Sequence, residues 1–361
     1  MLTNRPDMAC YINGAGMISP QRTYDNEAFL TDIASYDRNV LTCLLPNFKD
    51  YIHPFQLRRL SRMLCMGLAA ATICLREAGI ETPDAVIAAT GYGFQEDMAK
   101  FLTEMLEQDE QQLTPSYFMQ STYNALAGLI ALSVKCLGYN TTYAGKGFAF
   151  ETALQDAMML LREQEAQHIL AGSFDEASPV QFREYARLGY FKKETISNLQ
   201  LFDCQTPGTI QGEGVAFFTL SAVSAPHTWC RLKGIRTIHK PVDYRELSEA
   251  LTTFLARHGL TPGAIDVVVN GASGDVTRDR WNTALLQDAF PNAAEVRFKH
   301  LCGEYATATS FALWLGAMIL MRQAIPDAVQ ARPVHPCRKV KTVLICNHFL
   351  GKHYAFLLLD R

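Results

Sequence analysis

The chain has 361 residues, of which 48% are hydrophobic and 19% charged, and its net charge is −3. That length exceeds an average domain and predicts two units or one duplicated body with an ample core, which excludes a small binding module. A nearly neutral, slightly acidic chain argues against a nucleic-acid partner. Ten cysteines with no C-x-x-C pair and no repeated Cys/His spacing argue against a zinc site or a disulfide framework.

The cysteines read as free thiols, so the expected location is the cytoplasm, and no metal or cofactor is expected. The start, Met1 to Pro6, lacks a basic stretch followed by an apolar one, so no secretory signal is expected. Gln111 to Val134 is uncharged, but Pro115, Gln120, Ser121, Thr122 and Asn124 make its first half too polar to span a membrane. Ala306 to Met321 is too short to do so.

In chain order, Ala9 to Met17 reads as a strand running into Gly14 and Gly16, and Tyr24 to Ile33 has helical spacing. A basic segment with Arg58, Arg59 and Arg62 leads into a helix from Met63 to Ala78 that Gly79 caps. Ala85 to Thr90 is a continuous apolar run, the mark of a strand buried on both faces. Gln95 to Glu107 is an amphipathic helix, Ser116 to Leu137 grows steadily more apolar, and Ala149 to Glu163 is helical. His168 to Ala171 is a strand, residues 179 to 210 form a long excursion, and Val215 to Ser221 is a strand again.

The second half repeats the plan. Strands are expected at Cys230 to Ile238, Ile265 to Asn270, Glu295 to Phe298, Val340 to Cys346 and Tyr354 to Leu359. Helices are expected at Tyr244 to His258, Trp281 to Phe290 and Ala306 to Arg322. Alternating strands and helices imply an α/β body with sheets covered by helices, and two similar halves imply duplication, here 1–225 and 226–361.

The stretch from Asn140 to Phe148 (NTTYAGKGF) joins an apolar run to a helix. A sharp turn there presents its residues at a helix N-terminus, where free N–H groups favour an anion or a thiolate. An acyl-transfer enzyme would place its nucleophile in that turn; this chain places glycine.

Five blocks, in order and spacing, resemble the β-ketoacyl synthase family of the thiolase superfamily: Asn13 to Pro20, Ala171 to Ser178, Phe202-Asp203 with Gly212-Glu213-Gly214, Val269 to Gly274, and Lys299 to Glu304. Asn347 to Gly351 looks like a shortened form of that family's C-terminal glycine-rich loop. The resemblance implies a thiolase-like duplicated α-β-α-β-α layered fold. It also implies a Cys nucleophile, two assisting His residues and a Lys. Counting from Gly138 and from Ala171-Gly172, the Cys position falls on Gly147. The first His position falls on Ala272 or Ser273 and the second on Glu304, so only Lys299 is retained.

Glycine cannot supply a nucleophile, and an ionised Glu304 repels the enolate that decarboxylation builds. Such groups act as a unit, so losing them together removes condensation chemistry. Lys299 reads either as an exposed lysine or as a remnant paired with Glu304. Family members without the Cys are chain-length factors, which pair with an active ketosynthase as a heterodimer on carrier-bound chains. The resemblance implies that Tyr139 to Ala144 forms the dimer edge.

The resemblance further places Tyr92, Phe118 and Met119 at the acyl tunnel, with core packing as the alternative. It places Arg58, Arg59 and Arg62 in an acyl carrier protein patch, with a solvated face as the alternative. The short length and ragged C-terminal loop look more like the factors of aryl polyene or flexirubin-type pigment pathways. Two other readings stay open: a decarboxylase or acyltransferase using Ser273, Lys299 and Glu304, and a homodimeric scaffold for acyl carrier protein.

Overall fold

The computed structural model describes residues 9–333 and 339–361; the start from Met1 to Pro6 and Cys337 lie outside the described residues. In the first half β1 (Cys10–Ile18) is followed by α1 (Pro54–Leu57) and α2 (Arg62–Ala78). Gly79 ends α2 with a φ of 64°, the left-handed cap expected of it. Then come β2 (Ala85–Thr90), α3 (Gln95–Glu107), α4 (Pro115–Gln120), α5 (Ala125–Ser133), β3 (Tyr139–Ala144), α6 (Ala149–Glu163), β4 (His168–Asp175), α7 (Pro179–Arg187) and β5 (Gly214–Ser221).

The second half holds β6 (Cys230–His239), α8 (Tyr244–Arg257), β7 (Val267–Gly271), α9 (Arg280–Ala289), β8 (Ala294–Arg297), α10 (Lys299–Cys302) and α11 (Thr309–Arg322). It closes with β9 (Gln330–Arg332), β10 (Thr342–Phe349) and β11 (His353–Asp360).

The described strands form one hydrogen-bonded sheet in the order β3-β2-β4-β5-β1-β6-β11-β10-β7-β8-β9. The halves mirror each other about β1 and β6. In each, the third strand lies outside the second, parallel pairs occupy the outer end, and antiparallel pairs lead to the middle. β1 and β6 touch only through Cys10–Ile12 against Cys230–Leu232, so the sheet folds there into two leaves. Helices α6 and α11 fill the space between the leaves, α2 and α5 cover the first leaf, and α8 and α9 cover the second. This is the layered α/β arrangement expected.

The covering helices need close backbone approach. A Cβ on Gly16 would sit 2.1 Å from the Ala70 carbonyl oxygen, so β1 and α2 meet only because that position is bare. One expected element is absent: Tyr24 to Ile33 is a loop rather than a helix. Asn26 spends its amide on the Ala15 carbonyl (2.9 Å), Asp25 accepts from Ala28 N–H (2.9 Å), and Leu30 takes a φ of 51°. Local side-chain bonds there outcompete the helical ladder. The apolar run from Ser116 divides into α4 and α5, with a break at 121–124.

Candidate functional site

At the end of β3 the Gly145 N–H donates to the Thr90 carbonyl (3.0 Å), and the chain turns through Lys146 and Gly147 into α6. Gly147 has a φ of 104°, and a Cβ there would lie 2.4 Å from the His353 ring. The turn where the resemblance places a nucleophile is therefore strained for any side chain, and its side-chain space holds an imidazole from β11. The His353 ring packs edge-on to Phe148 (5.0 Å), and its Nδ1 lies 3.1 Å from Nδ1 of His239. Burial, then the charges of His239, Lys240 and Lys352, push His353 down to about 4.

The second half contributes a buried ionic cluster. Lys299 opens α10, the chain reverses at Gly303 (φ 72°), and Lys299 Nζ comes to 2.8 Å from Glu304 Oε2, with both side chains inaccessible to solvent. The ammonium also donates to the His348 carbonyl (2.7 Å). Burial pushes the Glu304 carboxyl up, against the pull of Lys299 and His348. Lys299 is therefore the paired remnant, not an exposed lysine.

Beside it, His348 Nε2 donates to Asp279 Oδ1 (2.9 Å), while its Nδ1 accepts from the Gly351 N–H (3.2 Å). Asp279 also accepts from the Ser273 hydroxyl (2.8 Å) and the Ser273 and Gly274 N–H groups. Burial alone would raise Asp279, but the bonds and charge of His348 and the bonds of Ser273 outweigh it and hold the carboxyl low.

Glu304 lines a narrow cavity walled by Tyr92, Tyr185, Tyr190, Phe191, Phe349 and Leu350, with free space of about 20 Å³, room for roughly one water. Three buried polar atoms on its lining have no partner: Glu304 Oε1, Gln211 Oε1 and the Tyr305 hydroxyl. At its mouth Lys146 Nζ donates to the Tyr185 hydroxyl (3.0 Å), which donates to that of Tyr92 (2.8 Å). Asp175 ties the Gly91-Tyr92 turn to Thr307, accepting from Thr90, Gly91 and Thr307, and burial lifts it to about 6.

Of the residues singled out by sequence, Tyr92 and Glu304 line this cavity, Lys299 lies behind Glu304 as its ion-pair partner, and Gly147 adjoins them through Lys146, whose Nζ meets Tyr185. Ser273 does not reach the cavity, because its hydroxyl is committed to Asp279. Phe118 and Met119 on α4 are exposed, and Phe118 packs on Phe101 (5.3 Å). The basic trio divides. Arg58 and Arg59 are exposed beside Lys100 in a surface groove. Arg62 instead turns inward to a bidentate pair with buried Glu213, which also accepts from Cys43 N–H (2.7 Å), so it anchors the core rather than a patch. Cys302 is buried, and burial raises its thiol well above the usual range, so it is no nucleophile.

Sequence reasoning missed His348, Asp279, His353 and Tyr185. Only His348 carried a signal, its place in the Asn347 to Gly351 block. Among the described residues no group of His, Cys, Asp or Glu is placed to hold a metal ion, and no helix is long and apolar enough to cross a membrane.

Residues 46–195 match the β-ketoacyl synthase N-terminal domain family. No curated protein sequence matches the chain. Among solved structures it is similar to the ishigamide ketosynthase/chain length factor, with a TM-score of 0.82 at 18% identity over 98% of this chain and 99% of that one. It is similar also to a type II polyketide synthase acyl-carrier protein complex with its ketosynthase bound to the hexaketide (0.77, 14%, 98% and 99%). A β-ketoacyl synthase from Burkholderia phymatum matches likewise (0.75, 14%, 98% and 99%).

Proposed function

We propose that the chain, whose residues 46–195 match the β-ketoacyl synthase N-terminal domain family and whose fold is that of solved ketosynthases, is a non-condensing subunit that pairs with an active ketosynthase. In this reading it acts as a chain-length factor on carrier-bound polyketide or polyene chains. The observation that carries it is Gly147: the turn that would hold the nucleophile is bare, left-handed and filled by the His353 ring. The assisting His positions are replaced as well. Glu304 is tied to Lys299, and Ser273 to Asp279.

Pairing runs through the β3 edge, which carries no neighbouring strand on its outer side among the described residues. The similarity to a ketosynthase/chain length factor pair and to a ketosynthase–carrier complex supports a ketosynthase and an acyl carrier protein as partners. Tyr92, held by Tyr185 at the cavity mouth, is the residue of this chain best placed to limit the product. Phe118 and Met119, exposed on α4, act only if they reach into the partner's tunnel. Aryl polyene or flexirubin-type pigment assembly is the product class that the short chain and compact C-terminal loop favour.

Co-expression with a Cys-containing ketosynthase, followed by mass analysis of carrier-bound products, tests the reading. The pair is expected to make product, and the chain alone to carry no thioester. Tyr92→Ala should shift the product distribution toward longer chains. An acyl thioester on the isolated chain, or turnover without a partner that Glu304→Gln abolishes, would overturn it in favour of a decarboxylase or acyltransferase.

A further inference from the structure

Strand β6 has two edges with different fates. One is paired with β11 along its whole length, from Arg231 to His239. The other meets β1 only at Cys230, Arg231 and Leu232, so from Lys233 to His239 no strand lies beside it among the described residues. At about 3.3 Å per residue this bare edge runs for roughly 20 Å.

It forms the floor of a groove of about 660 Å³ between α6 and α8. The α6 wall is Gln155, Met158, Met159 and Arg162, and the α8 wall includes Ala250, Thr253, Phe254 and Arg257. Both spacings put one helical face on the groove. The floor is apolar in part, and Met159 is 54% exposed.

The groove is polarised. His258 at the end of α8 crowds Gly234, where a Cβ would lie 2.4 Å from its Nε2. Phe148, just before α6, packs near His239 at the far end of β6 (6.4 Å). Arg162, Lys233 and Arg257 therefore gather at one end, where Lys233 Nζ also lies 3.4 Å from Asp360, and Arg236 lies further along the floor. Glu246 and Glu249 lie at the other, occupied by the Val242 N–H (2.6 Å) and by Arg245 (2.8 Å) respectively.

We infer that this groove binds an extended peptide segment that adds as a strand to the free edge of β6 and sets acidic side chains among Arg162, Lys233 and Arg257. The backbone groups of an open edge recruit a strand, and the cationic end selects its charge. A compact anion would use the arginines without needing the edge.

The inference does not depend on the condensation chemistry or on the β3 interface. The probe is a fluorescein-labelled peptide of alternating Thr and Val residues ending in two Asp, titrated onto the full-length chain and read by anisotropy. Saturable binding is expected. Arg257→Glu, at an exposed position, and Lys233→Glu, at a half-buried position beside Asp360, should each weaken it about tenfold, and ending the peptide in two Lys should reverse their effect. N-methylation of alternate peptide amides should abolish binding, because it blocks strand pairing while leaving charge unchanged. Equal binding of the N-methylated and parent peptides, equal binding of the Asp-ended and Lys-ended peptides, or no saturation by about 1 mM would overturn the inference.

Discussion

Strands β3 and β8 occupy the same place in the two halves, each outermost of the repeated order and parallel to its neighbour. Their surroundings differ. β8 is covered by β9, and Arg332 on β9 clamps the junction by donating to the Phe290 and Pro291 carbonyls (2.9 and 2.7 Å) and to Glu295 (2.9 Å). Among the described residues β3 has no strand outside it; it is half-exposed along its length and flanked by Leu132 at 75% exposure and Leu137 at 99%. A duplicated fold inherits two sheet ends and must manage both. Here one is closed from within and the other is left open.

The closed half is expected to break hardest when its buried charge is unpaired. Lys299→Met leaves Glu304 and the His348 carbonyl without their donor, and removing one partner of a buried pair costs about 3–5 kcal/mol. A fall in denaturant midpoint of that size, largely recovered in a Lys299→Met/Glu304→Leu double variant, is the expected result. A small loss in the single variant would mean that Glu304 is held protonated.

The open half should be broken at its surface without loss of fold. Leu132→Asp together with Leu137→Asp changes exposed positions, where substitutions usually move stability by under about 0.5 kcal/mol. The same charges would be desolvated beneath a partner, so the expected loss of pairing is of order 2 kcal/mol or more, about thirtyfold or greater. Pull-down with the co-expressed ketosynthase reads this, and retained pairing would move the interface elsewhere.

How much of this was legible from residues follows the same division. Helix α2 could be read from its apolar spacing and its Gly79 cap, and β2 from its unbroken apolar run, because local pattern and burial agree there. The Tyr24–Ile33 spacing misled because Asn26 bonds back to β1 and Leu30 adopts a left-handed backbone, a choice made by contacts distant in sequence. Arg62 looked like its neighbours Arg58 and Arg59, and only its meeting with Glu213, far along the chain, separates it from them. Gly147 was conspicuous as an absence in a motif. Its filling by His353 lies across the sheet, where no spacing rule reaches.

Where the halves meet, Gly147 offers a sharper test. Gly147→Ala puts a Cβ into the His353 ring at a φ of 104°, and strain and overpacking of this kind cost about 1–3 kcal/mol each. His353→Ala should return the packing part and leave the backbone part, so the double variant is expected to lie between Gly147→Ala and the parent in thermal midpoint. If the two changes simply add, the ring is not what fills the turn.

The smallest effect expected is a pH dependence carried by the same ring. His353 titrates near 4 in the folded chain against an ordinary value of 6.5. Between those values the unfolded chain binds the additional proton, so this group's contribution favours folding above pH 6.5 and is lost as the pH falls toward 4. The buried carboxyls work the other way. Burial raises Glu151 and Glu176 to about 7 and Asp175 to about 6, so the folded chain holds their protons longer and their contribution weakens as the pH rises. The total slope mixes both signs, but the difference between the parent and His353→Phe cancels the carboxyls. That difference in thermal midpoint should shift against the parent as the pH drops from 7 to 5, because only the parent must keep a half-buried imidazole neutral beside His239. Parallel curves would show that the imidazole titrates freely, and that the C-terminal half does not seal the turn at Gly147.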